Sequence, residues 1–150
     1  MQGRVVVVTG GYGALGRVVA ARAFKAGAAV AVLDRAVTPP EGFKAELEGR
    51  VLSLPGSDLS SDQGAQVAVA EVARHYGRLD VLVNIAGGFR SQTVEGGDSA
   101  DWETLFRQNV MTAVCTSRAA LPLLRVSDAG RIVNVGAAAA LHGAANVGAY

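Results

Sequence analysis

Between Val5 and Gly16 the sequence reads Val5-Val6-Val7-Val8-Thr9-Gly10-Gly11-Tyr12-Gly13-Ala14-Leu15-Gly16, and the chemistry it offers is that of bare backbone. A glycine turn between a β-branched run and a helix-forming segment leaves unpaired N–H groups at the positive end of a helix dipole, which suits a phosphate. Gly11, Gly13 and Gly16 fit the spacing G-x-G-x-x-G, while Gly10, Gly13 and Gly16 fit G-x-x-G-x-x-G, so one stretch satisfies two registers. A glycine turn alone also serves any tight strand–helix connection. The second candidate is Asp34, which closes the apolar run Ala28-Ala29-Val30-Ala31-Val32-Leu33. It lies about 20 residues after the glycines, where a carboxylate can accept hydrogen bonds from ribose hydroxyls. Its competing role is that of a solvated charge at a strand end. His, Cys, Asp and Glu are nowhere clustered at metal-ligand spacing, so no metal is expected. Cys115 sits among apolar residues and reads as core. His75 at a helix end receives no role, and His142 after the fifth strand reads as a solvated loop imidazole, with substrate contact as its alternative.

The elements that must position these residues alternate along the chain. Val5–Val8 reads as a strand buried on both faces, and Ala14–Ala26 as a helix with Gly27 just past its end. The run ending at Leu33 is a second strand, after which Thr38-Pro39-Pro40-Glu41-Gly42 halts regular structure. A short helix is expected over 43–48, a third strand over 50–54 and a turn through Pro55-Gly56-Ser57-Asp58-Leu59. Helical periodicity then runs from Asp62 to Tyr76, with Ser61 or Asp62 as N-cap and Gly77 at the end. Leu79 to Gly88 reads as a fourth strand entering a second glycine turn. One long helix follows over 99–124, with Pro122 in its last turns, and Arg131–Val135 is a fifth strand. This β-α-β-α-β-α-β-α-β order, with strands too apolar to be half exposed, predicts an α/β fold. The expected form is a Rossmann-type, doubly wound parallel sheet in a single domain spanning 1–150.

Composition narrows the partners. Half of the 150 residues are hydrophobic, 18% are charged and the formal net charge is +1, which argues against a nucleic-acid partner. Aromatic residues make up only 5%, too few for base-stacking platforms. One cysteine cannot close an internal disulfide, and no apolar run reaches membrane-spanning length, so a cytoplasmic location without membrane attachment is expected.

Taken together, Thr9 to Gly16, Asp34, Asp58-Leu59, Leu82-Val83-Asn84-Ile85-Ala86-Gly87, Asn109 and the run from Arg131 to Tyr150 resemble the short-chain dehydrogenase/reductase family along the whole chain. The resemblance implies an oxidoreductase acting on a small molecule with a nicotinamide cofactor. Gly10, Tyr12, Gly13, Ala14, Leu15 and Gly16 would hold the pyrophosphate, with Leu15 near the nicotinamide end. Asp34 would bind the adenosine ribose, Asp58 and Leu59 would flank the adenine, and Asn84, Ala86 and Gly87 would line the cleft. The carboxylate of Asp34 repels a 2′-phosphate and so favours NAD(H). Arg35 beside it can accept a phosphate bidentately, which keeps NADP(H) open. Asn109 matches the family's catalytic asparagine, which holds a water in a proton relay, and Tyr150 matches the catalytic tyrosine.

Two departures qualify the resemblance. The family's lysine lies four residues past the tyrosine, whereas this sequence ends at Tyr150, so it corresponds to the family's N-terminal portion. The family's serine, thirteen positions before the tyrosine, is Ala137 here. Dihydropteridine-reductase-type members also lack that serine. They resemble this chain in Gly10–Gly16, Ala86–Phe89 and Gly136–Gly143, which implies an electron-poor acceptor such as a quinonoid dihydropterin. The alternative is a non-catalytic dinucleotide-binding protein. The long helix carries apolar residues on more than one face, and in this family it packs against a second subunit, so a homo-oligomer is expected.

Overall fold

A computed structural model describes residues 1–43, 51–142 and 145–148 of the chain. Five parallel strands form one sheet in the order β3-β2-β1-β4-β5: β1 (Val5–Thr9), β2 (Ala29–Leu33), β3 (Leu52–Leu54), β4 (Val81–Asn84) and β5 (Arg131–Asn134). β1 is central, pairing Val5 with Ala29 of β2 and Val6 with Val81 of β4. Because side chains alternate across a strand, the valine run feeds two cores. Val5 and Val7 join Leu33, Val69, Val72, Leu82 and Leu124 on one face, while Val6 and Val8 join Ala20, Ala23, Val30, Val32 and Phe43 on the other. The second core is covered by α1 (Ala14–Lys25), and the first by α2 (Asp62–Tyr76) and α4 (Thr112–Val126). This is the doubly wound, Rossmann-type parallel sheet that the alternation of strands and helices predicts.

The helix boundaries follow local chemistry. Ser61 caps α2, its hydroxyl accepting the Gly64 N–H at 3.1 Å, and Gly77 ends it in the left-handed conformation. Asp98 caps α3 (Ser99–Phe106) by accepting the Ala100 N–H at 3.0 Å. Three expectations are corrected. The segment over 99–124 is not one continuous α-helix: α3 passes into a π-turn, Arg107–Met111, before α4 resumes and runs on to Val126. The cause is one extra residue per turn, a feature that hydrophobic spacing does not reveal. Nor are all strands buried: every residue of β5, an edge strand of the sheet, is exposed. The third strand, expected over 50–54, covers Leu52–Leu54, with Arg50 outside the described residues. The expected helix over 43–48 lies outside the described residues apart from Phe43, which is helical and buried.

At the N-terminal end of the sheet, Asp80 is fully buried and accepts from Val5 N–H at 2.8 Å, Arg78 Nε at 2.9 Å and Ser127 Oγ at 2.5 Å. Burial pushes this carboxyl up, but Arg78, Ser127 and the Val5 N–H together outweigh it and hold the pKa at about 2. This cluster ties β1, β4 and the end of α4 together on the side of the sheet away from the glycine turn.

Candidate functional site

Strand order reverses between β1 and β4, since the chain proceeds outward through β2 and β3 on one side and through β4 and β5 on the other. In an open parallel sheet the crevice beyond the carboxyl ends of the strands at such a point is where ligands bind. A cleft of about 760 Å³ opens there. Its floor is the glycine turn. Gly10 has φ +63°, and a Cβ on it would lie 2.8 Å from Ala86 Cα, while a Cβ on Gly16 would lie 2.2 Å from Gly10 O. The turn, the start of α1 and the β4 loop are therefore packed backbone to backbone. Thr9 fixes the same junction: its buried hydroxyl accepts the N–H of Ile85 at 3.0 Å and of Ala86 at 3.1 Å.

The N-terminus of α1 differs from those of α2 and α3. Gly13 at its N-cap provides no side-chain acceptor, and its first turn holds no acidic residue. By contrast Ser61 and Asp98 cap the other two helices, whose first turns carry Asp62 and Asp101. Uncapped, acid-free N–H groups framed by glycines, in a space that side chains would fill, fit an anionic phosphate.

Gly10, Tyr12, Gly13, Ala14, Leu15, Gly16, Asp34, Arg35, Asp58, Leu59, Ala86 and Gly87 all border the cleft. Within that group the structure assigns distinct parts. Asp34 accepts the Tyr12 N–H through Oδ2 at 2.9 Å and the Ala36 N–H through Oδ1 at 3.0 Å, so it shapes the glycine turn as well as facing the cleft. Tyr12 borders the cleft, but its ring is buried, edge-on to Phe43 with the hydroxyl 2.5 Å from Ser53 Oγ. Asp58 accepts from both the N–H and the hydroxyl of Ser60, at 3.0 and 2.7 Å. The Ser60 hydroxyl, followed by its N–H, holds the Asp58 carboxyl below the usual range, and the nearby Arg107 charge adds to this.

Asn84 is not among the residues that border the cleft. It is buried and donates to Ser117 Oγ at 3.1 Å and Asn134 Oδ1 at 2.8 Å, joining β4 to α4 and β5. The pleat explains this: Leu82 and Asn84 share one face of β4, and Leu82 belongs to the core beneath α2 and α4. Asn109 lies in the π-turn, behind the cleft wall. Its Oδ1 accepts the Gly88 N–H at 2.8 Å, and a Cβ on Gly87 would come within 2.6 Å of that oxygen. Tyr150 lies outside the described residues. Further residues border the cleft that the sequence reading did not single out, among them Ser60 on the loop after β3 and Thr104, Arg107, Gln108 and Thr112 around the π-turn. Arg107 and Gln108 carry a signal, a polar pair immediately before Asn109.

The family model for short chain dehydrogenases matches residues 4–150. The chain belongs to the short-chain dehydrogenase/reductase family. A 3beta-hydroxysteroid dehydrogenase of Mediterraneibacter gnavus is 33% identical over 150 residues, covering 98% of this chain and 54% of the relative. A short-chain type dehydrogenase/reductase from Mycobacterium ulcerans superposes with a TM-score of 0.92 at 28% identity, covering 100% of this chain and 57% of that one. An NAD+-bound xylitol dehydrogenase superposes with a TM-score of 0.89 at 29% identity, covering 99% of this chain and 58% of that one. The chain thus spans about half the length of the curated relatives it matches, as with the 54% of the steroid dehydrogenase. Among the described residues no helix is long and apolar enough to cross a membrane.

Proposed function

We propose that the full-length protein is an NAD(H)-dependent oxidoreductase that delivers hydride to a small electron-poor acceptor of the quinonoid dihydropterin class. The observation that carries the cofactor reading is the uncapped, acid-free N-terminus of α1 inside its glycine cradle, with Asp34 facing the same cleft. The N–H groups at the start of α1 hold the pyrophosphate, and Asp34 accepts the adenosine ribose hydroxyls while its charge opposes a 2′-phosphate. Asp58 and Leu59 flank the adenine, and Ala86 and Gly87 border the path toward the reacting end. When bound, the cofactor supplies the hydride. Asn109 fixes the Gly87–Gly88 turn through its 2.8 Å contact with Gly88 N–H. By family resemblance Tyr150 delivers the proton. The NAD+-bound state of the xylitol dehydrogenase relative supports the choice of NAD(H).

Ala137 supports the acceptor class. A serine at this position in ketone-reducing relatives gives a hydroxyl donor to the developing oxyanion, and removing one such donor lowers rates by about 10²–10³-fold. A quinonoid ring is already electron-poor and needs less of that help. The test is turnover of NADH by the full-length protein with a quinonoid dihydropterin, simple quinones and aliphatic ketones. Rapid reduction of the quinonoid acceptors and slow reduction of ketones is expected. Ketone rates equal to the quinonoid rates would remove the acceptor assignment. Tight NADH binding without turnover of any acceptor would replace the enzyme by a dinucleotide-binding protein, the reading that the missing hydroxyl at Ala137 also favours.

A further inference from the structure

We propose that Arg107 determines affinity for the purine half of the cofactor, its guanidinium covering the adenine end of the cleft from the π-turn. The inference rests on the dinucleotide reading of the cleft. Arg107 borders the cleft together with Asp58, Leu59 and Ser60, and it enters from the opposite wall. Its Nη2 reaches to 3.5 Å from Ser60 Oγ, spanning from the π-turn to the loop after β3. Ser60 is the same residue whose N–H and hydroxyl are given to Asp58, so the loop contacted by Arg107 is held in one shape from beneath.

The surroundings indicate what Arg107 meets. Asp58 is already engaged by Ser60, and its contact with Arg107 is one of charge at a distance, with no ion pair between them among the described residues. The side chain is exposed, with one contact of 3.5 Å to Ser60 Oγ, which leaves the planar cation able to settle on a flat partner. Leu59 borders the cleft on the loop side and is otherwise buried in the core. A planar ring set between Leu59 and a guanidinium satisfies both walls, since a cation over an aromatic face is attracted by its quadrupole and gains most when water is displaced. Arginine suits this better than lysine because its plane stacks. The wide turn places it: Thr104, Arg107, Gln108 and Thr112 share one wall of the cleft across the π-turn.

The test compares Arg107→Ala, Arg107→Gln and Arg107→Lys with the parent in the full-length protein. Dissociation constants are measured for NADH, ADP-ribose and reduced nicotinamide mononucleotide at low and high salt, with thermal melting as a folding control. Arg107→Ala and Arg107→Gln are expected to weaken NADH and ADP-ribose about 10-fold or more, with Arg107→Lys in between. The mononucleotide should change less than about two-fold, because it lacks the ring over which the cation acts. Equal losses for the mononucleotide, or a loss that vanishes at high salt, would overturn the purine role in favour of phosphate attraction. Unchanged ADP-ribose affinity in well-folded variants would overturn it outright while leaving the cofactor reading intact. Failure of the parent protein to bind either NADH or ADP-ribose would overturn both.

Discussion

Asp34 does two jobs at once, and a substitution there separates them. Its carboxylate accepts the Tyr12 and Ala36 N–H groups and also presents negative charge to the cleft. Asp34→Asn keeps one of the two acceptors for the turn and removes the charge, so the preference for NADH over NADPH should fall by about 10-fold, a change worth about 1.4 kcal/mol at one site. Titration of both cofactors against the variant checks this, and an unchanged ratio would transfer the preference to Arg35. Asp80 gives the clearest pH dependence. Its folded pKa of about 2 lies below the ordinary value of 3.8, so its stabilisation is fully present above about pH 4 and is lost as pH falls toward 2. That contribution is on the order of 2 kcal/mol. Urea unfolding between pH 2 and 5 should show it as a slope that Asp80→Asn flattens. At this scale the sequence discloses residue type and neighbourhood more readily than direction. Asp34 and the glycines are legible because a strand end and a turn admit few orientations. Asn84 is less legible because a motif says nothing about which face of the sheet its side chain takes, although counting along β4 from Leu82 supplies the answer.

Among the elements, the junction of the glycine turn with α1 leaves no room for a side chain at Gly16. A methyl group on Gly16 would lie 2.2 Å from Gly10 O and 2.7 Å from Gly11 Cα, both backbone atoms that cannot swing away. Gly16→Ala is therefore expected to lower Tm by several degrees and to weaken NADH at least as strongly as it weakens the fold, as read by thermal melting and titration on one preparation. The equivalent change at the cap of α2 is milder: Ser61→Ala removes the acceptor for Gly64 N–H and costs about 1 kcal/mol, with no change in cofactor affinity. Strands β1, β2 and β4 and helices α1 and α2 are readable from valine and alanine runs bounded by glycine. The π-turn is not, since inserting one residue into a helix shifts the apolar stripe by an amount that ordinary irregularity also produces. Its site has functional character nevertheless, for it carries Arg107, Gln108 and Asn109 in succession.

For the molecule as a whole, two surfaces lack a described cover. β5 exposes Ile132 and Val133 at the sheet edge. Trp102, Phe106, Val110 and Val114 are exposed at four-residue intervals along α3, the π-turn and α4. Large side chains repeated at that spacing form one stripe, and a stripe of this kind is buried by association. A homo-oligomer of the full-length protein that covers it is expected. Phe106→Glu would then place a charge in the interface, and sedimentation velocity should show a shift toward monomer. Sedimentation identical to the parent would assign the stripe to another partner. That the fold could be read from the sequence while this stripe could only be expected has a physical reason: the core follows from strands meeting helices within one chain, whereas association depends on surfaces outside it.

The hydroxyl of Thr9 has a consequence in time as well as in space. It accepts the N–H of both Ile85 and Ala86, so one atom at the end of β1 anchors two successive amides of the loop that follows β4. Neither amide can meet solvent hydroxide until that anchor lets go, and one release frees both. The two protons should therefore exchange with deuterium at matching rates, with the same response to temperature, although they belong to different residues. Thr9→Val, equal in shape but without the oxygen, would make both exchange quickly; Thr9→Ser would leave them slow and synchronous. Two amides keeping the same clock would mark the opening of the cleft as a single event.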